Sequence, residues 1–173
     1  MNQKMIRFII GRVLLIFSMV LCLPLIVAFI YHEDMLLKIS WIVAISISFG
    51  FGFGMTYKKP ENTRFHTKEG ILICAILWLS LAFIGSLPLY ISHSYPTMAD
   101  AYFEIASGLT TTGSSVHPSV ESLSHSVLFW RSFTHLIGGM GVLVFVLALS
   151  TKSSKDSLHV MRAEVPGPTF DKI

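Results

Sequence analysis

The sequence predicts an all-α membrane protein. Two N-terminal transmembrane helices come first, then a transmembrane helix, a short re-entrant helix with an extended segment, and a last transmembrane helix. Three observations carry this. Hydrophobic residues make up 53% of the 173 positions and charged residues 13%, against roughly 25% charged in a soluble domain. Four charge-free runs, at 13–31, 39–57, 70–91 and 132–151, hold 19, 19, 22 and 20 residues. A helix rises about 1.5 Å per residue, so about 20 residues cross a hydrocarbon layer roughly 30 Å thick. Third, Lys and Arg alternate along the chain: three in 1–12, one in 32–38, four in 58–69, one in 92–131 and four in 152–173. The side of a membrane rich in these residues is cytoplasmic. That places the N-terminus, the 58–69 loop and the C-terminal tail in the cytoplasm, and residues 92–127 outside.

Composition also excludes several classes. A mean hydropathy of +0.66 rules out a soluble globule of this size, which has too little interior to hide such apolar surface. Disorder is excluded by the same figure and by 12% aromatic residues. The net charge of +3 comes from scattered basic residues, which argues against nucleic acid as a partner. Cys22 and Cys74 both lie inside apolar runs, so they read as small packing residues and not as a disulfide framework. The chain has no phosphate-cradling glycine loop, no nucleophile elbow and no carboxylate pair placed for hydrolysis, so no enzyme is expected.

Along the chain, the first run is preceded by Lys4, Arg7 and Arg12, as in a signal peptide. It is longer than a signal-peptide core and no small-residue cleavage site comes after it, so it reads as a retained helix. Pro24 and Pro88 lie within or near the ends of spans, which membrane helices tolerate. Trp41, Trp78, Trp130, Tyr31, Tyr57 and Tyr90 supply aromatic bulk, several of them near span ends as interfacial anchors. The 36 residues of the external segment 92–127 are long for a connection, and long connections are functional or disordered. Pro96 and Thr97 open a helix, and 98–109 carries Tyr102, Phe103, Ile105, Ala106 and Leu109 at helical spacing. The uncharged stretch 105–120 is too short and polar to span.

After that helix the chain reads Leu109, Thr110, Thr111, Thr112, Gly113, Ser114, Ser115, Val116. One reading is an ordinary external loop whose hydroxyls satisfy local turns. The other is a cation filter, in which backbone carbonyls replace an ion's hydration shell. Glycine supplies the unusual dihedrals, and the negative end of the preceding helix faces the cation. A short helix between two full spans, with both its ends outside, favours the filter.

Residues 67–150 resemble the first repeat of the Trk/Ktr/HKT-type potassium transporter family, and most specifically the N-terminal part of a bacterial TrkH/TrkG potassium uptake subunit. The matching text is TKEGILICAILWLSLAFIGSLPL, then DAYFEIASGLTTTGSSV, then FWRSFTHLIGGMGVLVF. Residues 9–57 look like that subunit's additional N-terminal hairpin. The resemblance implies a potassium-channel-like fold of four M1–pore helix–filter–M2 repeats, of which this chain holds one. It divides the chain into a cytoplasmic N-terminus, hairpin and loop (1–66), the pore repeat (67–150), and a cytoplasmic tail leading toward a next repeat (151–173). By the same resemblance, main-chain carbonyls of Thr111, Thr112, Gly113 and Ser114 supply a quarter of the potassium site and Thr110 closes its inner end. Potassium is the transported ligand, centred at Thr111 and Thr112, and no covalent cofactor is implied. Glycine at 113 argues for potassium, because some sodium-favouring plant relatives carry serine there. The implied partners are the remaining repeats, a second subunit in a homodimer, a cytosolic nucleotide-binding TrkA-type subunit and membrane lipid, in a bacterial inner membrane. The expectation is an N-terminal fragment of such a subunit. Two other readings stand beside it: a short chain forming a homotetrameric channel, and a non-conducting assembly or regulatory subunit.

Other residues carry two readings each. Asp100 and Glu104 share a helix face. Asp100 either draws cations to an outer mouth or complements the helix dipole. Glu104 lies deeper and is expected to face protein or water and brace the filter. Arg131 reads first as snorkelling to headgroups, and second as support for the filter. His135 is expected to hydrogen-bond within the membrane. Gly138, Gly139 and Gly141 are expected to let the last helix pack closely on the pore helix or filter.

Overall fold

The structure, a computed structural model, describes residues 3–57, 60 and 67–150. The expected cytoplasmic tail at 151–173 and residues 58, 59 and 61–66 of the 58–69 loop lie outside the described residues. The chain divides into two units, Met1–Gly139 and Met140–Ile173, and all packing described below belongs to the first.

Six helices run in order: α1 (Gln3–Val20), α2 (Cys22–Ile30), α3 (Met35–Thr56), α4 (Thr67–Ile91), α5 (Met98–Leu109) and α6 (His125–Ser150), with a short 3-10 turn at Val120–Ser122. Among the described residues three helical stretches are long and apolar enough to cross a membrane: Gln3–Ile30, Met35–Thr56 and Glu69–Ile91. α6 covers the fourth expected run up to Ser150. The chain is a multi-pass membrane protein.

The first span begins ten residues before its charge-free run. Lys4, Arg7 and Arg12 are helical, because charge marks where the hydrocarbon ends and not where the helix does. The break at Leu21 has a local cause. Pro24 has no N–H for the Val20 carbonyl, and its ring crowds that oxygen. Leu21 closes α1 by donating to Phe17 O at 2.9 Å, and α2 resumes at Cys22.

α1 and α3 cross with their backbones nearly touching. A Cβ on Gly11 would lie 2.9 Å from the Gly52 carbonyl, and one on Gly52 would lie 2.9 Å from the Gly11 carbonyl. Ser48 donates to Leu14 O at 2.8 Å at the same crossing. Small residues produce this close contact where lipid gives no hydrophobic push. It ties α1 to α3.

The aromatic residues divide into two groups. Tyr31, Tyr57 and Tyr90 are exposed, whereas Trp41 and Trp130 are fully buried. These two tryptophans are core residues and not interfacial anchors, because each indole N–H finds a partner inside. Trp130 Nε1 donates to Gly85 O at 3.0 Å, three residues before Pro88. Trp41 Nε1 donates to Ser126 Oγ at 3.2 Å. The two rings meet edge to face at 5.8 Å, and Phe17 lies 5.7 Å from Trp130. α1, α3, α4 and α6 are joined there. Ser126 also donates its N–H to Glu33 Oε1 at 2.9 Å and its hydroxyl to Glu33 Oε2. The turn between α2 and α3 thereby places a carboxylate at the positive N-terminal end of α6.

Candidate functional site

α5 spans the predicted 98–109 and starts with an N-cap at Thr97. Thr97 accepts from Asp100 N at 3.1 Å, and Thr97 Oγ1 donates to Asp100 Oδ2 at 2.6 Å. Asp100 thus stands in the first turn of α5, tied to the N-cap residue.

The C-terminal end of α5 sets the geometry of the segment it leads into. Thr111 N donates to Gly108 O at 3.0 Å and Thr112 N donates to Ser107 O at 2.9 Å. This is the Schellman pair, which needs a left-handed residue between helix and exit. That residue is Thr111, at φ +58°. A β-branched residue there is a steric outlier, held by the two hydrogen bonds. Gly113 is next in the left-handed region, at φ +76°, where glycine has no such penalty. The N–H groups of Thr110, Thr111, Thr112 and Gly113 all turn back onto α5 carbonyls. The carbonyls of 110–114 accept no hydrogen bond among the described residues, and these five residues are exposed. The segment thus presents a run of backbone oxygens without partners, beginning at a helix C-terminus.

The far end of the segment is anchored on a buried carboxylate. Glu104 is 3% exposed. Its Oε1 pairs with Arg131. Its Oε2 accepts from Ser115 Oγ at 3.1 Å and from Val116 N at 3.2 Å. Arg131 reaches Glu104 through one guanidinium nitrogen, and its side chain is 14% exposed. Tyr95 joins this cluster from the turn before α5. Its ring is 1% exposed and lies edge-on to His117 at 5.6 Å. Burial, and then the Glu104 charge, push the Tyr95 hydroxyl above the usual tyrosine range.

α6 packs directly on the end of α5. A Cβ on Gly138 would lie 2.0 Å from the Leu109 carbonyl oxygen, and one on Gly108 would lie 2.2 Å from Thr134 Oγ1. Gly139 meets nothing within 4 Å, so only part of the glycine run packs here. His135 lies beside the segment: its Nε2 is 3.7 Å from where a Gly113 Cβ would stand. Its Nδ1 donates to the Arg131 carbonyl at 2.8 Å, within its own helix. Among the described residues no group of three His, Cys, Asp or Glu side chains is placed to hold a metal ion.

Sequence reasoning brought together α5, the 110–114 segment, Glu104 and Arg131, and the structure places them side by side. It missed Thr111 as the left-handed residue and Tyr95 as a cluster member. A lone aromatic in a polar turn, before Pro96, was the available signal for Tyr95.

A model of the TrkH family, described as a cation transport protein, matches residues 36–173. The Escherichia coli K12 "Trk system potassium uptake protein TrkH" is 33% identical over 99% of this chain and 35% of its own length. A Methanocaldococcus jannaschii "uncharacterized cation transporter" is 38% identical over 86% of this chain and 31% of its own. The crystal structure of the potassium transporter TrkH from Vibrio parahaemolyticus superposes with a TM-score of 0.80 at 26% identity, covering 94% of this chain and 36% of that one. The chain thus spans about a third of the length of these relatives.

Proposed function

The chain belongs to the TrkH family of cation transport proteins, and from that premise we propose that it supplies one quarter of a potassium pore. α4 and α6 are the outer and inner helices of one repeat, α5 is the pore helix, and 110–114 is the filter strand. The single observation that carries this reading is the division of labour along the strand. The N–H groups of Thr110 to Gly113 are consumed by the end of α5, and the carbonyls of 110–114 have no partner among the described residues. Backbone at membrane depth with unmet carbonyls is tolerated only in protein or along water, and a dehydrated potassium ion needs such oxygens. Thr111, Thr112, Gly113 and Ser114 line the site, and Thr110 closes its inner end. The α5 C-terminus adds the negative end of a helix dipole. Glu104 and Arg131 hold the outer end of the strand, so that it keeps its shape when no ion is present.

Relatives about three times longer support a pore completed by further repeats, with 1–66 as an N-terminal hairpin region, 67–150 as the first repeat and 151–173 as a cytoplasmic connection. A homodimer with a TrkA-type cytosolic subunit is the matching assembly, docked on the basic, cytoplasmic side. Transport is selective conduction, not covalent chemistry.

The test is Gly113→Ser at the native locus, read as rubidium uptake competed with sodium. Serine at a φ of +76° is strained, so the strand shifts and potassium-over-sodium discrimination falls. Unchanged discrimination with normal protein levels refutes the filter assignment.

A further inference from the structure

Tyr95 belongs to no part of the pore reading above, although it is among the most buried side chains of the first unit. Its position is set by the exit from α4. His93, at φ +57°, turns the chain, and Tyr95 N returns to Leu89 O at 3.2 Å. The ring is thereby folded inward under α5. Its hydroxyl lies among Glu104, Ser115 and Arg131, and it is buried without a hydrogen bond of full geometry to any of them. A buried hydroxyl left unmet is destabilising, so an unused donor there calls for an acceptor.

The acceptor is adjacent. An ionised carboxylate has about four lone-pair sites. Glu104 fills three, with Arg131, Ser115 Oγ and Val116 N. One remains, beside the Tyr95 phenol. Phenol is a suitable donor because it stays neutral at physiological pH and adds no charge to a balanced ion pair.

We propose that Tyr95 is a positioning residue for selectivity: its O–H donates to Glu104 and fixes the carboxylate rotamer that grips Ser115 and Val116. This rests on the pore reading. The chain from Tyr95 to the filter is then short: hydroxyl, carboxylate, Val116 N–H, and two residues back the carbonyl of Ser114. Without the hydroxyl, Glu104 keeps its charge partner and the fold stays intact. The carboxylate gains rotational freedom, the outer end of the strand loosens, and a smaller, more strongly hydrated cation is less well refused.

The test is Tyr95→Phe at the native locus, so that whatever length of subunit the cell makes carries it. Rubidium uptake competed with sodium gives a discrimination ratio, which does not depend on how much protein is present. Immunodetection through the 58–69 loop gives the amount. The expected result is a loss of discrimination of up to about tenfold, which corresponds to about 1.4 kcal/mol, with the protein still in the membrane. Replacing Tyr95 by 4-aminophenylalanine, which restores a donor on the same ring, recovers the ratio. An unchanged ratio in Tyr95→Phe overturns the inference. So does disappearance of the protein, which would make the hydroxyl a folding group. Gly113→Ser run in parallel separates the two levels. If it lowers discrimination and Tyr95→Phe does not, the pore stands and the role of Tyr95 falls. If neither changes the ratio, the pore reading fails and takes this inference with it.

Discussion

Gly138→Ala is the sharpest perturbation the packing offers. The added methyl would stand 2.0 Å from the Leu109 carbonyl oxygen, 2.7 Å from its carbon and 3.1 Å from its Cα. Ordinary contact begins near 3.4 Å, so the two helices must part by about 1.4 Å at this point. Side-chain rotation gives no relief, because every atom met is backbone. That backbone is itself fixed, since Leu109 is the last residue of α5 and Thr111 and Thr112 bond back across it. Overpacking of a fitted site costs typically 1–3 kcal/mol, and this rigid contact belongs at the upper end, about 3 kcal/mol. The displacement reaches Thr110 directly, so rubidium uptake should fall at least tenfold. Melting of the detergent-solubilised protein, monitored by size-exclusion chromatography after heating, should drop by several degrees. Gly108→Ala is the graded comparison. Its methyl meets Thr134 Oγ1 at 2.2 Å, and that hydroxyl escapes by giving up its 2.7 Å bond to Arg131 O, so the loss is smaller. Gly50→Ala, where a Cβ meets nothing within 4 Å, should leave uptake and melting unchanged. Equal behaviour of Gly138→Ala and Gly50→Ala would refute the close-contact argument.

The same geometry sets other outcomes. Glu104→Gln leaves Arg131 without its partner in a nearly closed site, and breaking a buried pair costs about 3–5 kcal/mol. The expected result is a strong fall in membrane abundance by immunoblot, larger than for Ser115→Ala, which removes one donor only. Thr97→Ala removes the cap of α5 and should cost about 1 kcal/mol, lowering the melting temperature while the potassium-over-sodium ratio holds. Tyr95 has a folded pKa above that of the unfolded chain. Its contribution to stability is therefore complete below about pH 10 and is lost only as pH rises toward the folded value. Unfolding midpoints of wild type and Tyr95→Phe should keep a constant gap from pH 6 to 9, and a gap that changes in that window would contradict the buried, neutral hydroxyl.

How much of the fold and site was legible depends on which physics each residue obeys. The spans were readable because hydrocarbon excludes charge, and a charge-free run of about 20 residues has few other uses. α5 was readable to the residue because Thr97 and Asp100 form a local cap and the apolar spacing ends at Leu109. The first span's early start was not, since hydropathy reports the membrane and not the helix. The places of Trp41 and Trp130 were left open for a related reason. An aromatic near a span end suits the interface or the core equally well, and only the partners at Ser126 and Gly85 decide. Glu33, Glu104 and Tyr95 depend on contacts 93, 27 and 9 residues away along the chain (to Ser126, Arg131 and Glu104). No local pattern encodes such pairings.

Thr111 shows where sequence rules give the opposite answer for a reason. Every local preference assigns a left-handed helix exit to glycine or asparagine, and Gly108 and Gly113 stand on either side of it. A rule-based reading would end the helix at one of them. Gly108 is instead committed to close packing on Thr134, and Gly113 to a second left-handed position at φ +76°. The exit falls to a β-branched residue at a cost of about 1–3 kcal/mol. That cost is sustained by the two hydrogen bonds across it and by the Glu104 anchor at the other end of the segment. A strand held at both ends with strain between them cannot collapse onto its own carbonyls when no ion is there to meet them. The strain is accordingly a property of the proposed site and not a defect of the helix end. Thr111→Gly should relieve it, stabilising the protein to heat while reducing potassium-over-sodium discrimination. A variant that is both more stable and equally selective would show that the strain serves nothing.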